Sequence, residues 1–259
     1  MIWVSRLKVL CVGVLGLLSA CQVGGKSMQA SEFFPAPVVK VLEAIQRGDE
    51  AAARRQIEQG VNLNIQGEEG LTPLLWLVYE TKDYKAVKLA LKVGADPNYK
   101  NGFGENIVSS VAGSKYPELL EVALDAGGDP NSLGENGVPA IFNAIGEARW
   151  ADIKLLVERG ADLNLTDGPG SNSALYGAYI NQYEVVYWLL QHGADYKMRD
   201  SGGSDLAFSV EDSLSLMDKS SPQYPWAIKV KQFLVDKGVK FPPLTPAEVR
   251  ERWARGEKV

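Results

Sequence analysis

The chain has 259 residues, 46% hydrophobic and 23% charged, an ordinary globular balance that excludes a largely disordered polypeptide. Its formal net charge is -5, which repels phosphate backbones. The one dense basic stretch, Arg250, Arg252, Arg255 and Lys258, alternates with Glu248, Glu251 and Glu257, so no nucleic-acid partner is expected.

In chain order, Arg6 and Lys8 come first, then an apolar run over residues 9–18, then small residues up to Cys21. A run that short cannot cross about 30 Å of hydrocarbon, so residues 1–20 read as a secretory leader. Leu18-Ser19-Ala20-Cys21 resembles the bacterial lipobox. That resemblance implies cleavage before Cys21, lipidation of Cys21 and a lipid anchor in the cell envelope; a plain secretory signal with a fortuitous cysteine and an uncleaved anchor are the competing readings. Gln22 is not the aspartate that marks inner-membrane retention, so the same resemblance implies the periplasmic face of the outer membrane. Cys11 lies within the leader, which leaves the exported domain without a free thiol and dependent on its core alone. Without Arg6 and Lys8, 25 basic residues face 32 acidic ones.

Residues 21–37 are expected to form the lipidated cysteine and a flexible tether, because Gly24, Gly25, Ser27, Ser31, Pro35 and Pro37 crowd into them. A domain is expected over 38–259. It opens with a helix pair whose apolar residues are Val41, Leu42 and Ile45, then Ala51, Ala52 and Ile57. Its charged exterior (Arg47, Asp49, Glu50, Arg54, Arg55) suits a terminal unit exposed to water.

An internal repeat follows. Gly60-Val61-Asn62-Leu63-Asn64, Gly94-Ala95-Asp96-Pro97-Asn98, Gly127-Gly128-Asp129-Pro130-Asn131, Gly160-Ala161-Asp162-Leu163-Asn164 and Gly193-Ala194-Asp195 recur, with glycines 34, 33, 33 and 33 residues apart. A fixed period of this size predicts a helical solenoid. In the fourth copy a short first helix is predicted over 140–147 (Ala140, Ile141, Ala144, Ile145) and a second over 151–159 (Ile153, Leu155, Leu156, Val157), ended by Gly160. The spacing from Gly193 to Gly238 is 45, so the closing unit carries about twelve extra residues. These are expected as a loop over 219–225 between helices at 206–217 and 226–236. Thr245-Pro246-Ala247-Glu248 is a capping box that starts a last helix running to about residue 255.

Gly70-Leu71-Thr72-Pro73-Leu74, Glu184-Val185-Val186 with Leu189-Leu190, and the Gly-Ala-Asp-x-Asn turns together resemble the ankyrin family over about residues 38–238. The Thr-Pro-Leu start weakens to Val138-Pro139-Ala140 and Asn172-Ser173-Ala174-Leu175, and Gly104-Glu105-Asn106-Ile107 lacks the proline. The expected fold is an all-α ankyrin-repeat helical solenoid with five regular helix-pair units, an irregular closing unit and a C-terminal capping helix.

No catalytic set, metal site or cofactor is expected. The single histidine, His192, precedes a helix-ending glycine, where a polar or cationic residue suits the helix terminus. Gly168-Pro169-Gly170-Ser171 and Ser201-Gly202-Gly203-Ser204 lack the lysine of a phosphate loop. Asp96, Asp129, Asp162 and Asp195 come one per repeat, which suits carboxylates that bond their own turns and not a gathered calcium site.

The aromatic residues Trp76, Tyr79, Phe142, Tyr176 and Tyr179 fall in first helices, while Tyr99 and Phe103 flank the turn after Asn98. In the ankyrin family those regions line a concave groove that grips partners, which implies binding of another protein through these side chains. The competing reading is that Trp76 and Phe142 pack between repeats. Short ankyrin-repeat lipoproteins of this layout also resemble immunity proteins of type VI secretion, which implies a phospholipase effector as partner. An envelope scaffold or homeostasis protein that holds a resident periplasmic partner shares every one of these features.

Overall fold

The computed structural model describes residues 28–259; the expected leader, Cys21 and the first part of the tether lie outside the described residues. Helices pair along the chain: α1 (Ala36–Gln46) with α2 (Glu50–Glu58), α3 (Pro73–Thr81) with α4 (Tyr84–Lys92), and α5 (Ile107–Val111) with α6 (Pro117–Asp125). Next come α7 (Ala140–Gly146) with α8 (Trp150–Glu158), α9 (Ser173–Tyr179) with α10 (Tyr183–Gln191), and α11 (Leu206–Leu216) with α12 (Tyr224–Asp236), before a single α13 (Pro246–Ala254). First helices pack on first helices from α1 through to α11, and second helices form the other row. The result is the expected helical solenoid of five regular pairs, a longer sixth and a closing helix.

Local chemistry explains how most departures from the repeat pattern are accommodated. Thr72 Oγ1 accepts the Leu75 N–H at 3.2 Å and Pro73 supplies the first turn of α3. α7, which starts after Val138-Pro139, has no side-chain cap, but on α5, α9 and α11 another cap takes over. Asn106 and Ser109 form a reciprocal box on α5, Asn172 accepts the Leu175 N–H at 3.0 Å, and Asp205 accepts the Phe208 N–H at 2.8 Å.

The core is one continuous strip between the rows. Leu42, Leu75, Ile107, Leu120, Ile145, Ile153, Leu156 and Leu189 are all buried. Alanines at positions 53, 90, 123, 144 and 178 let the helices approach closely. Leu155, expected in this core, is only half-buried: Ile153 and Leu156, three residues apart on α8, share the inward face, and Leu155 lies about 100° round the helix from Leu156 at its margin.

Two further boundaries differ from the sequence reading. The residues that interrupt the closing unit are 217–223 and not 219–225, since Tyr224 and Pro225 already form the first turn of α12, where a proline costs no hydrogen bond. The tether does not reach residue 37. Met28 donates its N–H to Glu80 Oε2 at 3.0 Å and accepts from Trp76 Nε1 at 3.2 Å, Phe33 O accepts the Glu68 N–H at 2.9 Å, and Phe34 is 5% exposed. Apolar burial of Phe34 outweighs the Pro-rich composition that suggested a free linker.

A buried carboxylate joins the third and fourth units. Asp152 on α8 is 2% exposed, and its Oδ2 accepts the Gly113 N–H at 2.9 Å just beyond the short α5. Gly113 sits at φ +80°, and a Cβ there would lie 2.5 Å from Asn143 O, so the chain needs glycine to make this approach. Burial raises the Asp152 carboxyl above the usual aspartate range, against the opposing pull of the Gly113 N–H and of Arg149. The folded state then holds its proton to a higher pH than the unfolded chain does. The resulting contribution to stability is complete below the unfolded value and is lost as pH rises through the folded one. Asp152→Asn keeps an oxygen for Gly113 and is expected to flatten this loss, measured as the urea midpoint from about pH 4 to pH 7. An unchanged pH slope would remove Asp152 as its source.

Candidate protein-binding face

The face built by the first helices and the turns that project beside them is held rigid by a ladder of side-chain bonds. In three exit turns an aspartate accepts an N–H two residues on, Asp96 from Asn98, Asp129 from Asn131 and Asp162 from Asn164, each at 2.8 Å, and in the first turn Asn62 does the same from Asn64 at 2.9 Å. The asparagine then reaches the next unit. Asn64 Oδ1 accepts the Asp96 N–H at 2.8 Å, Asn98 Oδ1 that of Asp129 at 2.8 Å, Asn131 Oδ1 that of Asp162 at 2.7 Å, and Asn164 Oδ1 that of Asp195 at 2.7 Å. One residue type terminates the turn and the other transmits its position, so the spacing of the units is fixed by geometry as well as by the core.

The projecting turns touch one another too. Gly102 N–H donates to Gly70 O at 2.9 Å, an approach that leaves 2.8 Å between Gly102 Cα and any Cβ placed on Gly70. Ser201 N–H donates to Pro169 O at 2.8 Å. The glycine-rich pieces are therefore turn tips. Asp167 fills one from within by accepting the Gly170 and Ser171 N–H groups at 2.9 and 2.8 Å.

On this frame the seven aromatic candidates part company. Phe103 stands 46% exposed at the tip of its turn, and Tyr179 44% exposed at the end of α9, its hydroxyl donating to Asp200 Oδ2 at 2.5 Å. Burial first, and the Asp200 carboxylate second, push the Tyr179 phenol up to about 12, so it stays a donor at any physiological pH. Tyr99 is half-buried beside Phe103's turn. Tyr176 is half-buried too, and stacks on Phe142 with ring centroids 4.5 Å apart. Tyr79 is mostly enclosed, and burial pushes its phenol up to about 12.

Trp76 and Phe142 are corrected. At 3% and 1% exposed they are interior residues that no partner reaches. Phe142 lies under the Tyr176 ring, and the Met28 segment bonds to the Trp76 indole.

Carboxylates accompany the exposed aromatics. Glu105 follows Phe103, and burial together with the nearby Glu135 raises its carboxyl above the usual glutamate range. Toward the C-terminal end, Tyr179, Phe208, Asp212, Leu216, Met217 and Asp218 line an open cleft of about 570 Å³. Sequence reasoning missed Leu216, which is 78% exposed; the twelve-residue excess in the last repeat was the signal that could have found it.

The opposite face carries its own aromatic row. Trp150 meets Trp188 edge to face at 6.1 Å, and His192 stacks on Trp188 at 3.7 Å with Nδ1 2.8 Å from Trp188 O. Lys154 and Lys229 lie over Trp150 and Trp226 at 5.7 and 3.8 Å. These rings are partly covered by their own chain, unlike Phe103. Among the described residues no three of His, Cys, Asp and Glu gather to hold a metal ion, and no helix is long and apolar enough to cross a membrane.

Comparison with known proteins agrees with this architecture. No protein-family model and no curated protein matches the chain. Among solved structures, the ankyrin repeat domain of Bcl-3, a member of the IkappaB protein family, superposes with a TM-score of 0.61 at 23% identity, over 81% of this chain and 92% of that one. The ankyrin repeat protein EF0377 superposes with a TM-score of 0.60 at 21% identity, over 74% of this chain and 96% of that one. The fold is an ankyrin-repeat solenoid.

Proposed function

We propose that the chain is a lipid-anchored, periplasm-facing binding module that acts as an immunity protein, capturing and neutralising a secreted antibacterial phospholipase effector. The observation that carries the binding part is the first-helix face, where Phe103 stands exposed on a projecting turn and Tyr179 at a helix end, beside turns stitched rigidly from repeat to repeat. Rigid aromatic anchors bind at low entropic cost, because little is left to order on association. The anchor and the address draw their support from the Leu18-Ser19-Ala20-Cys21 motif, and the immunity role from the layout of leader, tether and short array.

The test is deletion of the gene in its host. Under the immunity reading, deletion mutants are killed beside wild-type sister cells, and survive beside sisters that lack the type VI apparatus. Survival beside armed sisters overturns that reading in favour of an envelope scaffold holding a resident partner, which an affinity pulldown from native membranes would then identify.

The anchor has its own expected result. Cys21→Ser should abolish incorporation of labelled fatty acid while the repeat domain keeps its melting profile, since Met28 onward packs without it. Labelling equal to that of the wild type would sink the lipoprotein reading.

A further inference from the structure

We infer that the cleft between the end of α9 and the lengthened α11 is a specificity pocket, which takes an apolar side chain from a partner-protein segment carrying Lys or Arg on either side of it; this presupposes the protein-binding reading above.

The pocket exists because α11 is longer than the internal first helices beside it. Like the terminal α1 it runs for 11 residues, but the internal first helices it stacks behind, α3, α5, α7 and α9, have only 9, 5, 7 and 7, so its last turn extends past its neighbour α9. That turn carries Leu216, 78% exposed. Phe208 and Met217 lie half-buried beside it and line the same cleft with Tyr179. Contiguous exposed apolar surface of this kind on a well-packed domain marks an interaction site. The Tyr179 ring is held in place through its bond to Asp200, while Met217 is a side chain that adapts to what it meets.

Charge decides the kind of occupant. Asp212 and Asp218 line the cleft and no Lys or Arg does. Asp218 accepts the Ser220 N–H and hydroxyl at 2.8 and 2.9 Å, which keeps it ionised, and Lys219 beside it lies outside the lining. Of the acids around the cleft, Asp200 is engaged by the Tyr179 hydroxyl and Glu211 is paired with Lys231 at 2.5 Å. An apolar floor under two carboxylates with no ion-pair partner among the described residues favours a hydrophobic residue between cations and disfavours one between acids. At about 570 Å³ the cleft also holds more than a single side chain, leaving room for the flanking residues.

The competing occupant is a second copy of this chain, whose own α13 shows Trp253, 39% exposed, among Arg250, Arg252 and Arg255.

The experiment uses the purified full chain and an array of short synthetic peptides in which an apolar dipeptide is flanked by Lys and Arg or, in matched sequences, by Asp and Glu. Fluorescence anisotropy should show the basic set bound at least about tenfold more tightly than the acidic set, with the gap narrowing as salt is raised. Leu216→Ser should weaken the basic set about tenfold without moving the melting profile, because the side chain is exposed. The pair Asp212→Asn and Asp218→Asn should erase the preference between sets. No preference between the sets, or full binding by Leu216→Ser, overturns the pocket. Self-association of the chain that both Leu216→Ser and Trp253→Ala abolish overturns it in favour of the second copy. A natural partner that still binds Leu216→Ser but is lost on removal of Phe103 would overturn the pocket alone and leave the protein-binding reading standing.

Discussion

Leu189→Ala is expected to cost about 2–5 kcal/mol of unfolding free energy and to lower the melting temperature by roughly 5–15 °C. Leu189 is fully buried on α10, which packs on both α9 and α12, so its truncation leaves a cavity where the fifth and closing units meet. Each unit buries its apolar face only against neighbours, and a defect near one end therefore spreads along the array. Circular dichroism should show one earlier, broader transition. Leu155→Ala supplies the comparison: the side chain is half-buried and should cost about 1 kcal/mol. Equal losses at the two positions would show that the inward face of the second helices is misassigned.

Removing Tyr99, Phe103 and Tyr179 together is expected to lower affinity for the natural partner about a thousandfold, since two true anchors worth about 2 kcal/mol each suffice for that loss. Tyr176 does not belong in this variant, because its ring covers Phe142 and its loss would disturb the interior. The melting profile should stay close to wild type, as Phe103 and Tyr179 are exposed at a turn tip and a helix end. The control is Lys88→Ala with Glu158→Ala, two exposed side chains on second helices. Lys154 is unsuitable there, because it sits over the Trp150 ring. Under the immunity reading, cells with the triple variant become sensitive to the effector although the protein is folded, lipidated and abundant. If the first-helix variant binds normally and the control does not, the working surface is the opposite face, with its row from Trp150 through Trp188 to Trp226.

Much of the fold was legible because a solenoid writes its period into the chain. The glycines 33 or 34 residues apart located each exit turn, and Asp96, Asp129 and Asp162 do bond their own turns. The second function of those turns was not legible. Asn98 and Asn131 bond N–H groups of Asp129 and Asp162, 31 residues away in each case, and a local pattern cannot distinguish an asparagine that ends a turn from one that joins two. The site was read less well than the fold. Aromatic residues at first-helix positions look alike in sequence, yet Phe142 is 1% exposed and Tyr179 44%.

By itself the sequence determined the all-helical class, the number of units, the ends of most helices and the longer closing unit, all of which depend on local periodicity, capping and glycine placement. Only the tertiary structure decided which aromatics reach solvent, that residues 28–35 dock on the first units instead of hanging free, and that the extra residues of the closing unit raise Leu216 above a cleft edged by Asp212 and Asp218. Exposure is a property of what the neighbouring units cover, and those neighbours lie about 33 residues away along the chain, beyond the reach of any local pattern.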